Sequence, residues 1–327
     1  MSNHQPPASR YPLGTVIRVA GTIIAVALMV WLLAQQDWAE IWGNIEQIGI
    51  FRFVLAVVLL MLSRMAISLR WYTLLRGAGE QVSYWATLKI TFAGLFANNF
   101  LPSTVGGDGV RLAGGIQAGW SGTVLAASLV MDRLVGMFGM ATFLPFTLPK
   151  VLGYYSLGVL KNTPVLAFGG LGANGAPEGS LVRRPLRRIW GVIIRIWQTI
   201  VLWMRRPSSL LLPVLYNYGH VLLTFGMVWL VLQGLDQPLA YLEVGGLWAA
   251  VYFISLLPIS IGGLGLQEWA IWFAFHQIGG ISEAHSLTLA LLYRTLMMFS
   301  SLPGAAFVSG IIERHRQGAP AETSLED

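Results

Sequence analysis

Two short segments of the chain place charged and amide side chains beside a proline and a pair of glycines. Residues 98–111 read NNFLPSTVGGDGVR and residues 257–268 read LPISIGGLGLQE. Asp108 and Arg111 are three residues apart and thus share one face of a helix. They could contact a bound ligand or form an ion pair with each other, and both interpretations stay open. The second segment has no base at the matching place and ends in Gln267 and Glu268.

Further candidate side chains lie inside long apolar runs or beside the first proline. A charge at the centre of an isolated membrane helix costs roughly 2.5 to 3.5 kcal/mol, so such residues should face protein or water. They are candidates for binding a substrate, although structural pairing, such as Asp132 with Arg294, explains them equally well. Asn98 and Asn99 could satisfy backbone groups freed by a helix break or could bind substrate. The predicted substrate-binding residues are Asn98, Asn99, Asp108, Arg111, Asp132, Arg133, Glu268, Arg294 and Arg64.

The sequence has no motif that would support catalysis or a metal site. It contains no cysteine, and its five histidines lack HExxH or other ligand spacing. The segment GGDGVRLAGG lacks the Lys-Ser/Thr of a P-loop, and Val105 departs from the GxGD signature of intramembrane aspartyl proteases. We therefore predict a protein that is not an enzyme, has no catalytic residue, metal or cofactor, and does not hydrolyse ATP.

The elements that position these residues must be membrane helices. Hydrophobic residues make up 55% of the 327 residues and charged residues 11%, less than half of the ~25% found in soluble domains. Apolar runs of about 20 residues can cross the hydrocarbon layer as helices. They predict an all-α membrane protein with about six transmembrane helices, at 16–34, 51–75, 121–148, 151–171, 209–233 and 284–312. The fourth span is the weakest and stays open, because it contains Lys161 and Asn162.

Two further regions, 84–119 and 247–280, are irregular and predict re-entrant pairs of half-helices. The apolar half of the first region is too short to cross the membrane. Backbone groups freed at a break are tolerated only where protein or a water-filled cavity satisfies them. A half-helix N-terminus after the glycines would present its amides to an anionic group. The expected helix breaks are Pro102, Gly106, Gly107, Pro258, Gly262 and Gly263.

The two irregular regions indicate an inverted internal repeat. Residues 101–111 align without gaps on residues 257–267 with five identities, and LVMDRL at 129–134 falls on LLYRTL at 291–296. The charges at the span ends indicate that the first unit enters from outside and the second from inside. Inverted repeats with broken helices are typical of secondary transporters, whose substrate site lies near the midplane between the repeats.

Basic residues predict the orientation and organisation of the chain. Residues 183–206 contain seven arginines and no acid, which indicates a cytoplasmic amphipathic segment at the headgroups rather than a nucleic-acid site. We expect a multi-pass protein of the bacterial inner membrane with both termini in the cytoplasm. The expected parts are a disordered tail at 1–12, one transmembrane domain at 13–312 and a cytoplasmic tail at 313–327. Within the domain, repeat 1 covers 51–148 and repeat 2 covers 209–312.

These motifs resemble those of the lysylphosphatidylglycerol synthase transmembrane-region family of flippase-like membrane proteins. The resemblance rests on residues 98–111, Asp132-Arg133, residues 257–268 and 292–294, and covers about residues 15–312. In two-domain members this region is regarded as the flippase that moves aminoacylated phosphatidylglycerol between leaflets, while a soluble domain makes the lipid. No such domain follows here up to Asp327, so the resemblance implies a stand-alone flippase-like protein. Gln267 departs from the family pattern, because many relatives carry arginine there.

The leading hypothesis is a flippase or transporter that moves a phospholipid or another anionic lipid between leaflets. Its partners would be membrane lipids and not nucleic acid. The alternative is a non-transporting membrane adaptor for a lipid-modifying or glycan-assembly enzyme, and an intramembrane transferase is a third possibility. A water-accessible cavity that reaches the midplane would favour the transporter, whereas a tightly packed bundle with a large exposed apolar patch would favour the adaptor.

Overall fold

The computed structural model describes residues 42–43, 46–99, 105–156, 198–199, 201, 203, 208–237, 239–256 and 265–307. Throughout these residues the chain forms helices and turns, and none of them lies in a β-strand. The all-α fold class is confirmed for this part of the chain. The predicted first span, most of the fourth span, most of the basic segment 183–206 and both tails lie outside the described residues.

The helices are numbered here in chain order. They are α1 (Ile50–Gly77), α2 (Tyr84–Ala97), α3 (Val105–Gln117), α4 (Gly122–Ala141), α5 (Leu148–Ser156), α6 (Ser208–Gly234), α7 (Tyr241–Ser255), α8 (Leu266–Trp272) and α9 (Glu283–Ser301). A 3₁₀ turn (Leu144–Phe146) follows α4, a π-helical turn (Phe273–Ile278) continues α8, and a second 3₁₀ turn (Leu302–Gly304) follows α9.

Among the described residues, three elements are long and apolar enough to cross a membrane, namely α1, α4 with its 3₁₀ turn, and α6. They lie over the spans predicted at 51–75, 121–148 and 209–233. The 28 residues of α1 form a helix ~42 Å long, which exceeds the ~30 Å of the hydrocarbon layer. Long apolar runs therefore produced the elements that the sequence predicted, and Pro213 inside α6 does not end that helix.

Two shorter helix pairs occupy the regions that the sequence marks as irregular. Helix α2 packs on α3, and α7 packs on α8. The connecting segments 100–104 and 257–264 lie outside the described residues, and they contain the expected helix breaks Pro102, Pro258, Gly262 and Gly263.

The other two expected breaks, Gly106 and Gly107, are corrected by the structure. Helix α3 already begins at Val105, so both glycines lie inside its first turn. Gly107 instead permits close packing of α3 on α2, because a Cβ atom there would overlap the Asn98 side chain and the carbonyl oxygen of Gly94. Small residues serve in the same way wherever membrane helices approach closely.

The predicted last span, 284–312, begins as expected but is interrupted. Helix α9 ends at Ser301, and the 3₁₀ turn that follows contains Pro303, which has no backbone N–H to continue a helix. Gly304 then packs directly against the carbonyl of Phe92 in α2. Arg294 and several hydroxyl side chains make α9 more polar than the long helices, and among the described elements it is not one of the candidate spans.

Helices α1 and α6 form the centre of the fold. They pack along each other, and the Ser63 hydroxyl lies between them, 2.6 Å from Nδ1 of His220 and 2.9 Å from the hydroxyl of Thr224. The largest apolar core surrounds α6 and includes Leu60, Phe225 and Trp248. Arg64, the residue after Ser63 on α1, contacts Met297 of α9.

Candidate functional site

A polar cavity of about 230 Å³ lies where both helix pairs meet α1 and α9. Its walls come from four parts of the chain that are distant in sequence. They are Arg64 of α1; Leu95, Asn98 and Asn99 at the end of α2; Tyr252, Ser255, Leu256, Leu266 and Gln267 of the second pair; and Arg294, Met297, Met298, Ser300 and Ser301 of α9 and its end.

Arg64 is a buried cation in the wall of the polar cavity. It lies in the middle of α1 and is only 5% exposed. Its guanidinium contacts the sulfur of Met297 and lies near the Tyr293 side chain, and its Nε atom has no hydrogen-bond partner. Within the part of the chain that the structure describes, no carboxylate lies within ion-pair distance of Arg64. The positive charge at this wall is therefore not compensated by those residues.

Arg294 forms an ion pair with Glu268 that connects α9 to α8. The same carboxylate also accepts a hydrogen bond from the backbone N–H of Gly265 at 2.8 Å. Gly265 has a φ of +79°, a left-handed conformation that glycine adopts without strain. Glu268 thus satisfies one free N–H at the start of α8 and fixes the Arg294 side chain at the cavity.

Asn98 and Asn99 each make one contact that joins separate helices. The Asn98 side-chain oxygen Oδ1 accepts a hydrogen bond from the Gly107 N–H at 2.7 Å, so it satisfies a donor in the first turn of α3. The Asn99 amide donates to the Ser301 hydroxyl at 2.8 Å. Asn98 therefore holds the first pair together, and Asn99 ties that pair to α9, while both residues line the cavity.

A second group of charges, the arginine–aspartate cluster, consists of Arg70, Asp108, Arg111, Asp132 and Arg133. Asp132 accepts hydrogen bonds from Arg70 Nε at 2.7 Å and from Arg111 Nη1 at 3.1 Å. Asp108 forms ion pairs with Nη2 of Arg133 at 2.6 Å and with Nη1 of Arg111 at 3.2 Å. Three arginines and two aspartates leave the cluster with one net positive charge.

The arginine–aspartate cluster connects four helices. Arg70 donates to the side-chain oxygen Oδ1 of Asn217 in α6 at 2.5 Å, and the Asn217 side-chain amide donates to the backbone carbonyl of Val135 in α4 at 3.1 Å. The Arg111 guanidinium lies 4.1 Å from the ring centre of Trp71, a cation–π contact. The side chains of Arg70 and Asp132 are 9% and 5% exposed, whereas Arg133 at the edge is 35% exposed. Such a buried, paired arrangement holds α1, α3, α4 and α6 together.

The structure divides the predicted binding residues between these two places. Arg64, Asn98, Asn99 and Arg294 line the polar cavity, and Glu268 pairs with Arg294 beside it. Asp108, Arg111, Asp132 and Arg133 lie in the arginine–aspartate cluster, where Asp108 and Arg111 do form an ion pair. The pairing of Asp132 with Arg294 that was considered from the sequence is wrong, because Asp132 pairs with Arg70 and Arg111.

Sequence reasoning missed several residues of this region. Arg70 stands at the basic end of a predicted span, where arginines ordinarily mark topology, so its burial had no local signal. Asn217 was a detectable candidate, since it is an amide inside an otherwise apolar run. Tyr293 lies near both Arg64 and Gln267, and tyrosine inside a span is too common to stand out. In the described ranges, no three His, Asp or Glu side chains converge in a way that could hold a metal ion.

Comparison with known proteins gives one family and two relatives. The model of the lysylphosphatidylglycerol synthase TM region matches residues 18–304. A UPF0104 membrane protein of Pyrococcus horikoshii is 25% identical over 311 residues, which covers 84% of this chain and 91% of the relative. A UPF0104 membrane protein of Archaeoglobus fulgidus is 22% identical over 152 residues, 45% of this chain and 46% of that protein. Both relatives are archaeal.

Proposed function

Because the chain belongs to the lysylphosphatidylglycerol synthase TM-region family and is an integral membrane protein, we propose that it moves a lipid with an anionic headgroup between the two leaflets without hydrolysing ATP. The observation that carries this proposal is Arg64. It is a buried arginine in the middle of a membrane-spanning helix, it lines a polar cavity, and no carboxylate of the described residues pairs with it. A buried charge of this kind is costly unless a counter-charge, hydrogen bonds or water stabilise it, and the bound anionic headgroup would be that counter-charge.

The chemistry of the polar cavity suits a phosphate group. Arg64 and Arg294 enter it from two different helices, and guanidinium groups form charge-assisted hydrogen bonds with phosphate oxygens. Asn99, whose amide uses only one of its two N–H groups on Ser301, adds a neutral donor to the same wall. A phosphate at Arg294 would compete with Glu268 for the guanidinium, so binding would loosen the contact between α9 and α8. In the proposed transport step, binding of the headgroup therefore weakens the attachment of the second helix pair to α9.

The arginine–aspartate cluster has a different proposed role. Its charges are largely paired with each other, and its members do not line the polar cavity. We assign it to holding α3 against α1, α4 and α6, which keeps the first helix pair in place while the second pair responds to the headgroup. Arg133, the most exposed arginine of the cluster, is the member best placed to meet a headgroup on entry.

The proposed arrangement in the membrane has six spans, two re-entrant helix pairs and both termini in the cytoplasm. We treat 13–312 as one transmembrane domain of the plasma membrane, with inverted repeats at 51–148 and 209–312. Two ion pairs and one hydrogen bond support this arrangement. Each helix pair is joined to the following helix by an ion pair, Arg111 with Asp132 and Glu268 with Arg294. The buried Trp203, near the end of the basic segment, donates to the Leu74 carbonyl in the last turns of α1, the end predicted to be cytoplasmic.

Reconstitution tests this function directly. Purified protein in liposomes should speed the exchange of radiolabelled phosphatidylglycerol between leaflets in the absence of nucleotide, measured as the fraction open to an external phospholipase. A rate equal to that of empty liposomes for anionic, zwitterionic and aminoacylated lipids, with and without a proton gradient, would refute the transporter. The non-transporting adaptor would then be the better hypothesis.

A further inference from the structure

A large apolar groove lies between α1 and α9, next to the polar cavity. Its volume is about 530 Å³, more than twice that of the cavity. Nearly all of its lining is aliphatic or aromatic. The apolar lining residues are Trp42, Phe53, Val57, Leu60, Met61, Leu292, Leu296 and Phe299.

The groove and the polar cavity are adjacent at Ser300, which lines both. The same two helices carry the apolar and the charged side chains. Leu60 and Arg64 are one helical turn apart on α1, and Leu292 lies two residues before Arg294 on α9. The boundary between an apolar and a cationic surface therefore runs across one helix–helix junction.

The two hydroxyl residues of the groove are satisfied by their own helix. Thr295 donates to the Leu291 carbonyl at 2.9 Å, and Ser300 donates to the Met297 carbonyl at 2.9 Å. Neither hydroxyl proton is thus available to a ligand in the groove, whose surface behaves as apolar throughout. A polar headgroup gains nothing there, whereas a hydrocarbon chain is compatible with every lining residue.

The sizes of the two spaces narrow the class of ligand. At a liquid volume of about 30 Å³ per water molecule, the polar cavity of about 230 Å³ has room for a phosphate and a small substituent, not for an oligosaccharide. The groove is larger in volume and apolar. An amphiphile with a compact anionic headgroup and a long hydrocarbon chain matches both spaces at once.

We propose that the apolar groove holds one acyl chain of a phospholipid whose phosphate lies at Arg64 and Arg294. This inference rests on the proposed function and adds to it a bound, protein-held acyl chain. The acyl chain is already in an apolar medium in the bilayer, so its transfer into the groove yields little hydrophobic free energy. Its contribution is to fix the chain in register with the cavity, which orients the headgroup toward the two arginines.

Photocrosslinking tests the groove without any variant. Full-length protein in liposomes is irradiated with phosphatidylglycerol that carries a diazirine in one palmitoyl chain, and the labelled peptides are sequenced. We expect the label to concentrate on the groove faces of α1 and α9, at residues such as Val57 and Leu296. Label spread evenly over exposed apolar residues such as Leu211 and Leu215 of α6 would overturn the proposal. So would absence of lipid label combined with a crosslink from the groove to another protein segment or a second copy.

A matched pair of variants sharpens the test. Val57→Trp fills the groove, whereas Val58→Trp adds the same bulk on the same helix at a residue that is 45% exposed and does not line the groove. Groove labelling should fall about tenfold in Val57→Trp, which corresponds to about 1.4 kcal/mol of binding free energy for the acyl chain. It should persist in Val58→Trp. Equal labelling in both variants would contradict the groove assignment.

The transport assay separates this inference from the proposed function. Wild-type protein that moves lipid while its groove stays unlabelled would refute the acyl-chain site alone. Protein that is labelled in the groove but moves no lipid would refute the transporter and leave the groove as a lipid-binding site. Transport that is lost in Val57→Trp and kept in Val58→Trp would support both.

Discussion

Asp132 and Arg294 occupy equivalent positions in the LVMDRL and LLYRTL segments, and each forms an ion pair with the helix pair that precedes it in the chain. Asp132 of α4 pairs with Arg111 of α3, and Arg294 of α9 pairs with Glu268 of α8. The polarity is reversed between the two units, since the acid lies on α4 in the first and on α8 in the second. Two segments of similar sequence thus each form an ion pair at the same position, with the charges reversed.

The Glu268–Arg294 pair predicts a measurable coupling. Glu268→Gln and Arg294→Gln should each lower the melting temperature in detergent, because each leaves one partner without its counter-charge. A double-mutant cycle should give a coupling free energy of about 1 to 3 kcal/mol. The charge-swapped double variant Glu268→Arg with Arg294→Glu should recover part of the stability. Strictly additive effects would show that the pair does not hold α8 to α9.

Asp132→Asn is expected to destabilise the protein more than Glu268→Gln or Arg294→Gln. It removes the counter-charge of both Arg70 and Arg111 in a buried site, where breaking an ion pair typically costs about 3 to 5 kcal/mol. Asp236→Asn is the matched control, because Asp236 is exposed in a turn with a φ of +53°, which asparagine tolerates. Thermal unfolding should separate the two variants, and similar melting temperatures would contradict the role given to the cluster.

Gly107 provides a test of the packing between α2 and α3. Gly107→Ala places a methyl group against Asn98 and the Gly94 carbonyl, and such overpacking typically costs 1 to 3 kcal/mol, so we expect about that loss. Gly109→Ala, in the same helix, has no atom within 4 Å of its new methyl group and should be neutral or slightly stabilising. The control separates packing from helix propensity, and equal stability of the two variants would exclude the close contact.

The orientation in the membrane can be tested with single cysteines, since the chain has none. A cysteine at position 188, in the basic segment, should react with an impermeant reagent only after the membrane is permeabilised. A cysteine at position 236, in the turn between α6 and α7, should react from outside. Labelling of position 188 from outside would contradict both the orientation and the inverted repeat.

The long helices were predictable because the signal lies in one continuous stretch of sequence. Apolar runs produce α1, α4 and α6 with ends close to those expected, and Pro213 inside α6 does not end that helix. The interruption of the last span at Pro303 was missed, although a proline followed by glycine is a local signal for a break. The packing of Gly304 against Phe92 of α2 could not be predicted, because that contact joins distant parts of the chain.

The candidate site was predictable only residue by residue. A charge inside an apolar run stands out, so Arg64 and Arg294 were identified from the sequence. Their partners were not, because the choice of Glu268 for Arg294 and of Arg70 for Asp132 depends on which helices meet. Gly106 and Gly107 were interpreted as a break because glycine serves equally in bends and in close helix contacts, and only the packing on α2 distinguishes the two.

The charge at Arg64 is the central claim, and the rate of lipid exchange tests it most directly. Wild-type, Arg64→Gln and Arg76→Gln proteins are reconstituted at equal density, and exchange of phosphatidylglycerol and phosphatidylcholine is measured without nucleotide. Arg76 is the control, because it is an exposed arginine on the same helix that does not line the cavity. Loss of a charged hydrogen bond should lower phosphatidylglycerol exchange roughly tenfold to a hundredfold in Arg64→Gln, with Arg76→Gln near wild type. Undiminished phosphatidylglycerol exchange in Arg64→Gln would contradict the account.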